Sequence, residues 1–386
     1  MKLWNIIIIT FGFQTVVYLT RPVITLYALH MGSSTFEIGI LTATYSFLPL
    51  IFAIHAGKIA DKVGDRLPIL LGSIGTAMGM IIPYLFASMW SLYVSQLIVG
   101  LSNVFLTVSL QNVLGNTATK ANRDRYFSIF SMAVAGGALI GPLIGGYISE
   151  HLSYTAAFFI SIFISFMPVA FSFTIPVVIK KKEQEKINIL SSVGLLNISV
   201  LRKALFSSAL VLYSKDIFIA YFPLFAKQYH ISDSTIGWII SIQALAMMIV
   251  RFILPSLTNM FKRDTILCAS IIFAGISFIM IPFTGSAILL GILSCIMGFG
   301  LGCGQPLSMT TTYNASPKNR TGEVLGLRLS TNRLSQLIAP IFFGLVGNWV
   351  GIISVFLISG AFLLGGTFFI RPEKDNPSAS NNDYHA

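Results

Sequence analysis

Six ionisable residues of this 386-residue chain lie deep inside long apolar runs: Arg21, Lys215, Arg251, Arg328, Arg333 and the acid Asp216. Charge in such surroundings is costly, so each marks a place where function could reside. Asp216 is open to two readings. It can carry a proton, because desolvation and neighbouring cations pull its proton affinity in opposite directions. It can also be a fixed counter-ion for Lys215 or for an arginine of another segment. Lys215 adjoins it in sequence and points about 100° away on a helix, so the two need not be partners. The arginines suit a different task, since a guanidinium fork pairs with carboxylates. Arg21 adjoins Pro22. Arg251 lies nearer the end of its run and could instead snorkel to the interface.

Uncharged polar residues fall into stripes. Arg328, Asn332 and Gln336 recur at i, i+4 and i+8, which is one face of a helix. Such a face would be costly against lipid, so it should turn toward a cavity or another helix. Arg333 lies off that stripe and reads as a brace. Gln96, Asn103, Thr107 and Gln111 form a second face, and Gln305, Ser308 and Thr312 a third. Tyr18, Tyr45, Tyr213 and Tyr221 could wall a cavity or simply pack. Metal and nucleophile chemistry finds no footing. His30, His55, His151, His230 and His385 are scattered, and Cys268, Cys295 and Cys303 form no C-x-x-C. Neither H-E-x-x-H nor a phosphate-binding glycine loop occurs. No metal and no cofactor are expected, and the chain reads as no enzyme.

The elements carrying these residues are written in the composition. Hydrophobic residues make up 55% and charged ones 10%, and mean hydropathy is +0.80. Soluble domains carry roughly 25% charged residues, so the solvent here is lipid. A spanning helix needs about 20 apolar residues. Runs of that kind cover 4–29, 37–56, 67–87, 90–112, 126–148, 155–178, 204–226, 234–257, 265–284, 286–309, 322–346 and 351–370. The first is expected to be a retained helix, not a cleaved signal. The expectation is an all-α integral membrane protein with twelve transmembrane helices in two six-helix bundles. The bundles are 1–178 and 204–370, joined by a basic linker at 179–203 and followed by a disordered tail at 371–386. A net charge of +11 would suggest nucleic acid in a soluble protein. Here Lys and Arg gather in alternate loops, nineteen on the side of the termini against Lys227 alone on the other. Both termini are therefore expected in the cytoplasm of a multi-pass plasma-membrane protein. No nucleic-acid partner is expected.

The halves resemble each other. Arg21-Pro22 and Phe222-Pro223 occupy similar places, as do Ser34 to Gly39 and Asp233 to Gly237. Six spans plus six, each set starting on the same side, implies parallel repeats about an axis along the membrane normal.

Two motifs carry a family resemblance. Gly57-Lys58-Ile59-Ala60-Asp61-Lys62-Val63-Gly64-Asp65-Arg66 resembles the loop 2–3 signature of the major facilitator superfamily. Gly137 to Gly146, containing Gly141, Pro142 and Gly145, resembles the span-five motif of its drug/proton antiporter branch. Physically, Gly57 and Gly64 permit a sharp turn. Asp61 can pair with a base or a helix N-terminus, and with Arg66 this segment would latch one conformation. The span-five glycines give a smooth seam for a neighbouring helix. The sequence departs from the family where a span-four arginine is common, since Gln96 stands four residues before Gly100. In the second half Asn259 replaces the loop acid.

The resemblance implies a monomeric secondary transporter, exporting a small molecule in exchange for protons. One deep acid against five cations favours an anionic or zwitterionic cargo. Arg21, Arg251, Arg328, Asn332, Gln336, Gln111 and Gln305 are then the substrate-binding candidates and Asp216 the proton site. Carboxylate-rich metallophores fit that charge balance, which suggests kinship with staphylopine-type exporters. Multidrug efflux is the alternative, and nutrient import on the same fold a further one.

Overall fold

The structure is a computed structural model and describes residues 3–119, 123–176, 194–317 and 320–370; within helices a few side chains, that of Asp61 among them, lie outside the description. Twelve α-helices run through the described residues. They are α1 Leu3–His30, α2 Thr35–Val63, α3 Arg66–Leu85, α4 Met89–Thr117, α5 Arg123–His151 and α6 Tyr154–Ser172 in the first half. The second half holds α7 Ser199–Gln228, α8 Asp233–Met260, α9 Arg263–Met280, α10 Ala287–Asn314, α11 Thr321–Val350 and α12 Ile352–Ile370. Single 3-10 turns at Gly194–Asn197 and Ile281–Phe283 precede α7 and follow α9.

Eleven of the twelve are long and apolar enough to cross a membrane. The exception, α11, carries Arg328, Asn332, Arg333 and Gln336, and these polar groups dilute its hydropathy. Several helices outrun the expected spans. α2 has 29 residues and rises about 43 Å, more than the roughly 30 Å hydrocarbon layer. α7 starts at Ser199, five residues ahead of the expected boundary at 204. The tail from 371 and most of the linker lie outside the described residues.

Short polar residues start the helices. Ser34 accepts from the Glu37 N–H while Glu37 accepts from Ser34, a reciprocal cap on α2. Ser153 caps α6 and Ser232 caps α8 in the simpler one-way manner. α1 and α7 sit innermost. α7 is buried along almost its whole length, with Phe218, Tyr221, Phe222 and Phe225 fully enclosed.

The halves meet most tightly on the face opposite the chain termini. Two helix crossings close it, and they are related by the repeat. Gly39 of α2 lies against Pro340 and Gly344 of α11, while Gly237 of α8 lies against Pro142 and Gly146 of α5. A single sequence offset relates Gly39 to Gly237, Pro142 to Pro340, Gly146 to Gly344 and the caps Ser34 to Ser232. At each crossing backbone meets backbone, which only a missing side chain allows.

Candidate functional site

Asp216 sits seventeen residues into the thirty of α7, near its middle, and is 4% exposed. Both its oxygens are engaged. Arg21 of α1 donates to Oδ1 at 2.7 Å, and Gln336 of α11 donates to Oδ2 at 2.7 Å. The ion pair therefore bridges the two halves of the repeat. Arg333 Nη1 donates in turn to Gln336 Oε1 at 3.2 Å. The Arg21 guanidinium stacks 4.4 Å from the centre of the Tyr45 ring, within cation–π range. Lys215 reaches the other way. Its Nζ donates to Tyr18 OH at 2.9 Å and lies 4.7 Å from that ring, a second contact between the halves.

A small cavity of about 20 Å³ lies beside the pair, lined by Arg21, Tyr45, Gln96 and Asp216 among others. That is room for one water and no more. Within this cluster three cations face one carboxylate. An anionic group would be favourably held beside that excess of positive charge, because burying an unpaired charge is costly.

A second polar group lies on α10 and α11. Arg328 Nη2 donates to Gln305 Oε1 at 2.9 Å and to Ser308 Oγ at 3.2 Å. Gln305 is itself anchored on Ser208 O of α7 at 3.1 Å. Two buried atoms here have no partner among the described residues, Arg328 Nε and Asn332 Oδ1. Arg251 is half-buried on α8, which packs against α10, and its Nε also lacks a partner among the described residues.

The structure thus brings Arg21, Asp216 and Gln336 together, and Arg328 with Gln305, while Asn332 lies between the two groups on α11. Gln111 stands apart. It is exposed near the end of α4, whereas Gln96 and Asn103 of the same stripe are buried. A twenty-nine-residue helix outlasts any one cavity, so a stripe continued to its end leaves the site. Lys215, Arg333, Tyr18 and Tyr45 also belong to the centre, beyond the residues whose type and spacing point to binding. Arg333 lies off the stripe, and its reach of several bonds brings it to Gln336. Tyr213 and Tyr221 bond to backbone oxygens of Ser359 and Pro340 and serve packing.

The two family motifs need correction. Gly57 and Asp61 are not in a turn: α2 continues to Val63, so only Gly64, at φ 82°, makes the bend. The Asp61 side chain, on which the latch reading rests, lies outside the described residues. The acid whose contacts are described is Asp65, buried and accepting from Asn112 Nδ2 of α4 at 2.9 and 3.1 Å. Arg66 reaches the Phe173 ring instead, at 5.9 Å. The span-five seam is likewise two faces. Gly137, Gly141 and Gly145 receive α1 at Gln14, Thr15 and Leu19 within one half, and only Pro142 and Gly146 meet the other half.

Charged groups reinforce that closed face. Glu150 of α5 accepts from the Ser234 N–H at 2.8 Å and so caps α8 from across the interface. Asp233 pairs with Lys227 close to the Tyr154 side chain. A carboxylate at a helix N-terminus contributes about 0.3–1 kcal/mol through its charge. Glu150→Gln should therefore raise the open population of this face about two- to fivefold, read from the distance between spin labels on the two halves. An unchanged distance distribution would mean that the glycine crossings close it alone.

A bundle of twelve helices with a charged crossing at mid-membrane defines a transporter, and the chain belongs to the Major Facilitator Superfamily, whose family model matches residues 6–206 and 204–385. Its fold matches a POT family transporter solved with 5-aminolevulinic acid, with TM-score 0.81, 16% identity and 95% of each chain covered. The nucleoside transporter NupG matches with TM-score 0.81 and 15% identity, over 95% of this chain and 98% of that one. Among relatives by sequence, an uncharacterized MFS-type transporter of Methanocaldococcus jannaschii is 23% identical, covering 95% of this chain and 97% of its own. The class B tetracycline resistance protein of Escherichia coli is 21% identical over 87% of both chains. The multidrug resistance protein MdtG of Escherichia fergusonii is 24% identical, over 80% of this chain and 77% of its own. The chain is a multi-pass membrane transporter, of the plasma membrane in a prokaryotic cell.

Proposed function

We propose that the chain is a proton-coupled exporter of a small zwitterionic or anionic molecule, working by alternating access. The observation that carries this reading is the Arg21–Asp216 ion pair across the two halves, set among more cations than acids. The names of the tetracycline and multidrug resistance relatives support the export direction. The Lys and Arg asymmetry supports cytoplasmic termini, which makes the sealed face the outer one and this conformation inward-facing.

Exchange requires that proton and cargo exclude each other. A zwitterion meets that condition. Its cationic end would compete with the proton for Asp216, while its carboxylate is held by Lys215 and Arg333. A pure anion would not, because protonating Asp216 frees Arg21 to bind it, and proton and anion would then travel together. The zwitterion is therefore the better cargo for an exporter, and amino-carboxylate metallophores of the staphylopine type are one example. Tetracycline and multidrug resistance relatives keep generic drug efflux as the second reading.

The test uses proteoliposomes with an imposed pH gradient and a matched series of an amino-carboxylate, its amide and its deaminated acid. The amino-carboxylate should move against the proton. The amide should lose about tenfold or more in rate in the wild type and little further in Lys215→Gln, since a hydrogen-bonded charge pair is worth roughly 1.5–3 kcal/mol. Equal rates for acid and amide would leave the cations as braces and favour generic efflux.

A further inference from the structure

On the lipid-facing side of the second half, α7, α11 and α12 leave a groove of about 920 Å³. We propose that it holds the acyl chains of one anionic phospholipid whose headgroup pairs with Arg202. Two independent observations meet here. First, the groove wants hydrocarbon. Its walls are apolar apart from Thr331, Ser335 and the Tyr213 hydroxyl, and each of these already donates to a backbone oxygen. No polar atom on those walls asks for a ligand, so a polar cargo gains nothing there.

Second, charge stands at the mouth. The Arg202 side chain is exposed and has no hydrogen-bond or ion-pair partner among the described residues. It lies one turn before Phe206, which lines the groove end and touches Phe369 edge-on at 5.7 Å. Arg202, Phe206, Leu210 and Tyr213 share one face of α7 at helical spacing, so the cation and the apolar wall are continuous. A ligand with a hydrocarbon body and an anionic end fits this arrangement, and the bilayer supplies one. The groove floor is α11, the helix that bears Arg333 and Gln336 away from the groove-lining face, so an occupant braces the helix that holds the site.

Gly365 provides a clean test. It lines the groove, and a Cβ there would meet only open space. Gly365→Leu fills the groove without pressing on backbone, and replacing a helical glycine favours the helix. The full chain, purified in detergent, is titrated with phosphatidylglycerol or phosphatidylcholine of identical acyl chains and read by native mass spectrometry. One phosphatidylglycerol should be retained about fivefold more than phosphatidylcholine, the ratio equivalent to about 1 kcal/mol per basic residue at an anionic surface. Arg202→Gln should equalise the two lipids, and Gly365→Leu should lose both. Equal retention of the two lipids by the wild type would overturn the proposal and make the groove an entrance for neutral lipophiles. Undiminished phosphatidylglycerol on Gly365→Leu would place the lipid elsewhere and overturn it too.

Discussion

Asp216→Asn is expected to abolish uphill transport on a pH gradient while leaving the chain in the membrane. The carboxylate is the partner of Arg21 and Gln336, and its loss strands a buried guanidinium between the halves. Breaking a buried pair from one side costs about 3–5 kcal/mol, because the surviving charge is left unmatched. The thermal midpoint in detergent should therefore fall as well. Arg21→Gln combined with Asp216→Asn removes both charges and should recover most of that stability, but not proton-driven transport. This combination separates the two roles left open by the sequence. If the double variant restored both, the pair would be a structural brace and the proton site would lie elsewhere. If Asp216→Asn alone still concentrated substrate on a pH gradient, the carboxylate would not carry the proton.

Gly237→Val should be among the most damaging single changes outside the charged centre. A Cβ at this position runs into the Pro142 carbonyl, which is backbone and cannot rotate away. Overpacking of this kind costs about 1–3 kcal/mol, and here it falls only on the conformation in which this face is shut. The population should shift toward the open form by roughly five- to 150-fold, with transport failing for want of the closed state. Spin labels at Met31→Cys and Trp349→Cys would read the opening directly. Gly39→Val, its repeat mate against Pro340, should behave alike. Gly141→Val should not, because it presses on Leu19 within one half and should destabilise the bundle without biasing its opening. Similar distance distributions for Gly237→Val and Gly141→Val would remove the gating role of the crossing.

Much of this architecture can be read from the chain. Twelve apolar runs, their alternating basic loops and the two glycine motifs sufficed for the fold class, because lipid forces every backbone polar group into helices of known length. Even α11, the helix too polar to pass as a span, was legible from its place in the count. The residues of the centre were partly legible too, since charge within an apolar run stands out regardless of packing. Partnership was not. Asp216 pairs with a residue 195 positions away, and Lys215 with one 197 positions away, so neither contact leaves a local trace. The repeat was visible as similar turns, but Pro340 and Gly344 gained meaning only beside Gly39 and Tyr221.

The division has a physical cause. Sequence by itself determined what the solvent is, how many helices cross it and which of their residues are too polar to be there by accident, since these follow from transfer free energies of single segments. Tertiary structure decided which cation meets the one central acid, which glycines face the other half and which end of the bundle is shut. Those outcomes depend on rotation of each helix about its own axis and on the reach of long side chains. Helices that are apolar on nearly every face carry little moment to fix that rotation, and only close packing against particular neighbours does so.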